Sequence, residues 1–142
     1  EVTEGMLITD IDETVARMQE LARLGIRFSI DDFGTGYSSL SYLKRLPLYE
    51  LKIDKAFVQD TPGDLNDTAI VRLVLSMAAE LSRKGEAEGA QTRAQADFLL
   101  KHQCDSLQGF LFSRPQASDA WLASMLAMPQ TMSPACSPQL AT

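Results

Sequence analysis

The chain has 142 residues, 45% of them hydrophobic and 23% charged, the balance of one ordinary globular domain long enough to bury a core. Its net charge of -6 comes from 19 acids against 13 scattered Lys and Arg, which argues against a surface for duplex nucleic acid. No apolar run approaches the length of a membrane-spanning helix and no leader pattern opens the chain, so a soluble, cytoplasmic protein is expected. Cys104 and Cys136 fit no metal-ligand spacing and are expected as free thiols. Glu1 in place of an initiator Met reads as a piece of something longer.

From Thr9 to Leu24 the apolar residues Ile11, Val15, Met18, Leu21 and Ala22 recur at helical spacing, and Gly25 stands where a left-handed cap belongs. Ile26 to Ile30 reads as a strand with apolar residues at alternate positions. A short helix from Ser38 to Leu46 stops before Pro47, and Leu51 to Asp54 is a second strand. TPGDLND, residues 61–67, supplies a turn and a cap for the most apolar helix, Thr68 to Leu81. By rhythm the next segment, Arg83 to Gly89, is a strand, yet it is polar. A helix over Thr92 to Lys101, a strand entering a loop over Asp105 to Phe112, and a helix over Ser118 to Leu126 with Trp121 as a core anchor complete the domain, residues 1–128. Residues 129–142 are rich in Pro, Ser, Thr and Ala and are expected to be a disordered tail.

Strand and helix alternating in this way imply an α/β fold with parallel strands and right-handed crossovers. A closed eight-stranded barrel needs about 250 residues, so either half a barrel or a small open sheet is expected. Ligands of such folds lie at the carboxyl ends of the strands. That rule gathers Asp31 and Asp32, Lys52, Glu88 and Gln108 at one rim. The adjacent carboxylates of Asp31 and Asp32 repel unless a cation or proton sits between them. Taken singly, each of these residues has a structural explanation: an ion pair between Lys52 and Glu88, a helix cap at the aspartates, a satisfied loop carbonyl at Gln108. Converging on one rim, carboxylate oxygens without a Cys or His cluster suit hard divalent cations, Mg2+ or Mn2+. His102, the only histidine, reads as solvated and without a role.

EVTEG at the start, DDFGTGYSSLSYLKRLPLYELKIDKAFV in the middle, then AEGAQT and DSLQGFLFSRP resemble the second half of the EAL domain, the bacterial phosphodiesterase domain that linearises cyclic di-GMP. The resemblance implies roughly the second half of a (β/α)8 TIM-type barrel. It implies two Mg2+ or Mn2+ ions held by carboxylates, and water attacking one phosphodiester of cyclic di-GMP to give linear pGpG. By motif position Glu1, Asp31, Asp32 and Glu88 would be metal ligands, and Glu4 would steady the loop after the paired aspartates. Lys52 would orient the attacking water or stabilise charge, Glu88 would serve as ligand or base, and Gln108 would position a metal-bound water or the phosphate.

Departures from the family pattern are specific. The Glu-Ala-Leu motif and the Asn ligand that follows it are absent, and Gln91 stands where the family has a second acid. The polar RKGE before Glu88 replaces an apolar strand, which predicts a poorly positioned Glu88, and Glu1 at a terminus is expected to fray. Half a barrel is expected to leave sheet edges and an apolar inner face open, favouring self-association or docking on the remainder of a longer EAL protein. Two readings follow. One is part of a cyclic di-GMP phosphodiesterase, inactive as this chain alone; the other is a degenerate EAL module serving as a non-catalytic regulatory surface.

Overall fold

In a computed structural model, which describes residues 1–3, 11–34 and 40–127, the strands form one five-stranded parallel sheet in the order β1-β2-β3-β4-β5. The elements are β1 (Val2–Thr3), α1 (Ile11–Arg23), β2 (Phe28–Phe33), α2 (Leu40–Leu43), β3 (Leu48–Ile53), α3 (Lys55–Val58), α4 (Leu65–Glu80), β4 (Lys84–Ala87), α5 (Arg93–Lys101), β5 (Ser106–Leu107) and α6 (Ser118–Ala127). Each strand lies beside the one before it, and the order never reverses. A doubly wound sheet has a reversal point, so this is the order of a barrel wall.

Local chemistry sets the boundaries. α1 ends in a left-handed cap at Gly25 (φ +89), with the Gly25 amide bonded to the Ala22 carbonyl and the Ile26 amide to that of Leu21. Ile26 is thereby spent on the cap and exposed, so β2 starts at Phe28 and runs on through both aspartates. Asp64 caps α4 through the Asn66 and Asp67 amides, and Thr92 with Gln95 forms a capping box at α5. The predicted second strand extends back to Leu48, and Asp54 leaves it to cap α3 through the Ala56 amide at 2.7 Å.

The polar segment before Glu88 is the strand β4, and its small residues explain why it need not be apolar. Gly85 and Ala87 are buried against α4; a Cβ on Gly85 would lie 2.7 Å from Leu75 Cδ2. Close helix approach, and not side-chain bulk, fills this part of the core. One core cluster joins Ile30, Leu51, Ile53 and Ala87 of the sheet to Val15 and Met18 of α1, Val71, Val74 and Leu75 of α4, and Leu99 of α5. The other sheet face is polar, contrary to the expected apolar interior. Ser29 bonds Glu50 at 3.2 Å, Ser106 bonds Glu86 at 3.1 Å, and Lys52 lies in register with Glu86. Alternation sends the apolar residues to the helices and the polar ones to the concave side. Burial and the neighbouring charge of Glu50 push the Glu86 carboxyl above its ordinary value.

Trp121 is half exposed, and with Leu122 and Leu126 also exposed, α6 does not anchor the core as expected. His102 is half-buried at the end of α5, with Nδ1 2.8 Å from the Phe98 carbonyl. Cys104 is buried and free, and burial pushes its thiol up to about 12. Glu4, the residues 35–39 within the family-like block, and 129–142 lie outside the described residues.

Two consequences can be measured. Gly85→Val should cost about 2–3 kcal/mol in urea denaturation by overpacking, and Leu75→Ala in the same chain should make the two losses clearly less than additive. An unfolded thiol ionises near pH 9 and the folded one only near 12, so the unfolded state sheds its proton first. Stability should therefore fall between those limits, by up to ~1.4 kcal/mol per pH unit, relative to a Cys104→Ala chain.

Candidate functional site

The carboxyl ends of the strands hold the predicted polar residues, and their centre is Lys52. Ile30 pairs with Leu51 and Phe33 with Ile53, so two residues of β2, Asp31 and Asp32, stand opposite the single Lys52 of β3. This bulge answers why adjacent acids occupy one strand end: the extra residue turns Asp32 into the left-handed region (φ 54) while Asp31 keeps its place beside Lys52. Asp tolerates that conformation better than most side chains.

Lys52 is only 6% exposed, and its ammonium contacts Glu88 at 2.5 Å, Glu1 at 2.8 Å and Asp31 at 3.2 Å. Burial lowers its pKa, but the hydrogen bonds to Glu1, Glu88 and Asp31 together outweigh burial and hold it well above the ordinary lysine range. The sizes agree: desolvating an ammonium costs several kcal/mol, and one carboxylate at ~4 Å contributes about 4 kcal/mol gross at an effective dielectric near 20. Three such partners leave Lys52 charged.

Glu1, predicted to fray, is placed by the pairing of Val2 with Ile30 and Thr3 with Asp31. Glu88, predicted to be displaced, follows β4 directly, its amide bonded to the Ile53 carbonyl at 3.1 Å. Gln108 follows β5, its amide bonded to the Ala87 carbonyl at 2.9 Å and its carbonyl accepting from Ala90 at 3.0 Å. Glu88, Gln91 and Gln108 line an adjoining cavity of about 240 Å³ with Lys55 and Phe110. The close turn there requires Gly109, because a Cβ would lie 2.1 Å from the Ala90 carbonyl oxygen.

Asp54 was not anticipated as part of the site. The Asp32 carboxyl is held above its ordinary value first by a hydrogen bond with Asp54, then by burial and the charges of Asp31, Asp54 and Glu88. The signal was present in the LKID stretch, where an acid one residue after a strand and before a Lys is placed to cap a helix at the same rim. Lys55 was likewise overlooked.

Among the described residues, no group of three His, Cys, Asp or Glu side chains forms a ready-made metal cage. The point shared by Glu1, Asp31 and Glu88 holds the Lys52 ammonium. The donor chemistry nonetheless fits a hard cation, because the groups at the rim are carboxylates and the Asp32 carboxyl, raised first by its hydrogen bond with Asp54 and then by burial, also faces the negative charges of Asp31, Asp54 and Glu88.

Comparison with known proteins matches this geometry to one family. The family model for the EAL domain matches residues 1–115. The bifunctional diguanylate cyclase/cyclic di-GMP phosphodiesterase MucR of Pseudomonas aeruginosa is 47% identical over 125 residues, 88% of this chain and 18% of that protein. Its phosphodiesterase, solved as a c-di-GMP complex, superposes with a TM-score of 0.80 at 46% identity, over 84% of this chain and 49% of that one. Cyclic di-GMP phosphodiesterase NbdA of the same organism is 49% identical over 81% of this chain and 15% of its own length. BlrP1 of Klebsiella pneumoniae, solved as a manganese/cy-diGMP complex, gives a TM-score of 0.73 at 37% identity over 80% of this chain and 29% of that one. The chain thus spans less than a fifth of the length of the curated relatives MucR and NbdA.

Lys52→Met should destabilise the chain by about 2–4 kcal/mol at pH 7, since it leaves carboxylates facing one another without their cation. Adding Asp31→Asn to the Lys52→Met chain, which removes one of the opposed charges, should recover part of that loss in urea denaturation.

Proposed function

The chain belongs to the EAL domain family, and on that premise we propose that it supplies one wall of a metal-dependent site hydrolysing cyclic di-GMP to linear pGpG. The observation that carries this reading is the convergence of Glu1, Asp31 and Glu88, from three strands, on one buried charge at the carboxyl rim. Glu1, Asp31, Asp32 and Glu88 would hold Mg2+ or Mn2+, which supplies polarisation of a phosphoryl oxygen and acidification of a bound water. The manganese and cyclic di-GMP named for the BlrP1 complex support that choice of ion and substrate.

The chain's own residues divide the remaining work. Lys52 is held protonated at neutral pH, so it acts as a fixed positive charge toward the developing oxyanion and not as a base. Glu88 accepts a proton from the attacking water, or ligates the ion, from the cavity edge. Gln108, which lines the same cavity, orients the phosphate or water by hydrogen bonding. Attack breaks one ester bond of the ring and leaves a terminal phosphate.

The wall alone is incomplete, since the sequence carries no Glu-Ala-Leu stretch and has neutral Gln91 on the cavity wall. Gln91 favours a second reading, an EAL module that has lost turnover and acts as a regulatory surface. Incubated with Mn2+ and cyclic di-GMP, the chain alone should form no measurable pGpG. Joined to an upstream half bearing a Glu-Ala-Leu stretch it should turn over, with Lys52→Met lowering kcat by roughly 10²–10³-fold. An inert joined chain would favour the non-catalytic reading. In calorimetry with Mn2+, Asp31→Asn should remove the binding isotherm; an unchanged titration would make the paired acids structural.

A further inference from the structure

We propose that the opposite, N-terminal edge of the sheet is an anion-binding site for a phosphate-bearing ligand, formed by Arg27, Tyr49, Ser82, Arg83 and Lys84. These residues lie where three adjacent parallel strands begin: Arg27 just before β2, Tyr49 at the start of β3, and Ser82 to Lys84 at the entry to β4. They line a cavity of about 360 Å³ whose other walls are apolar. Tyr49 and Lys52 are three residues apart on β3, so at roughly 3.3 Å per residue this cavity stands about 10 Å from Lys52.

Three like charges gathered around one cavity repel unless something negative enters. The Arg27 guanidinium lies 4.4 Å from the centroid of the Tyr49 ring and the Lys84 ammonium 5.4 Å from it. Among the described residues no carboxylate lies within 4.0 Å of the Arg27, Arg83 or Lys84 cationic groups, and unlike the chain's other unpaired cations these three line one cavity. Lys84 also hydrogen-bonds Tyr49, and the two acids whose charge reaches it, Asp105 and its register partner Glu50, are engaged by the Gly85 amide at 2.8 Å and the Ser29 hydroxyl at 3.2 Å.

Backbone geometry adds a donor at a cost. Ser82 (φ 54) occupies the left-handed position of the α4 cap, where its amide meets Ala79 and that of Arg83 meets Ala78. Glycine is the unstrained residue there. Serine instead puts a hydroxyl on the cavity wall. Because cations already lie against the Tyr49 ring, recognition works by charge and hydrogen bonding, and guanidinium forks matched to oxyanion edges select phosphate.

Amide NMR of the full chain at pH 7 and constant ionic strength tests this with inorganic phosphate, glycerol 3-phosphate and acetate. Both phosphates should shift the amides of Tyr49 and of residues 82–84 saturably, while those around Lys52 stay still and acetate does nothing. Tighter binding of glycerol 3-phosphate would identify a phosphoester as the source; equal binding would identify free phosphate. Arg83→Gln should weaken binding at least tenfold, and Arg27→Gln, at an exposed position that leaves the fold intact, should do the same. Ser82→Gly should raise Tm while weakening binding, a pairing that a purely structural Ser82 would not give. No saturable shift with either phosphate, an equal response to acetate, or unchanged affinity in both arginine variants would overturn the proposal.

Discussion

A lysine buried near the carboxyl end of a strand is tolerated only when its charge is matched, and the architecture of this rim follows from matching Lys52. Its three carboxylates come from Glu1 just before β1, Asp31 in β2 and Glu88 just after β4, segments far apart in sequence that parallel pairing brings together. Removing any one strand from the sheet would strand a charge. The ion contacts therefore act as a register lock as well as an electrostatic centre: a slip of one residue would turn Lys52 toward the helices and the apolar core.

The bulge in β2 is the second device the site depends on. In a regular strand Asp31 and Asp32 would point to opposite faces, one of them into the core. Inserting an extra residue opposite Lys52 keeps Ile30 and Phe33 both buried and lets both acids stay at the rim. The remaining like-charge conflict is relieved on one side by the Lys52 ammonium and on the other by the hydrogen bond between Asp32 and Asp54, which holds the Asp32 carboxyl above its ordinary value. A divalent cation would answer the same excess of negative charge more completely.

Much of this was legible in the sequence because it rests on local signals. Gly25 marked the end of α1, the helical periodicity from Ile70 to Leu81 marked α4, and Thr92 marked the start of α5. The rim followed from one topological rule applied to strand ends. What escaped was set by tertiary contact. β1 is two residues long and exists by pairing with β2; β4 is a strand because Gly85 and Ala87 let α4 approach. Hydropathy alone scored β4 as weak, and for the same reason led to the expectation of a misplaced Glu88. Trp121 was expected as a core anchor, yet it is half exposed with Leu122 and Leu126, since apolar bulk alone does not decide burial. The polar concave face was likewise hidden, since it emerges only when alternation is combined with register across four strands.

Parallel strands give such a sheet two chemically different edges, and this chain uses the difference. At the carboxyl edge, acids outnumber cations around a single ammonium; at the amino edge, Arg27, Arg83 and Lys84 gather around Tyr49 with no carboxylate within 4.0 Å of them among the described residues. Between them runs the concave ladder of Ser29, Glu50, Glu86 and Ser106, whose hydrogen bonds keep the intervening acids occupied. Screening by salt over a Debye length of roughly 8 Å decouples the two edges electrostatically where solvent reaches them. Each edge can then hold its charge at a separation set by the length of β3, without collapsing into a neutral ion-pair network through the middle of the sheet.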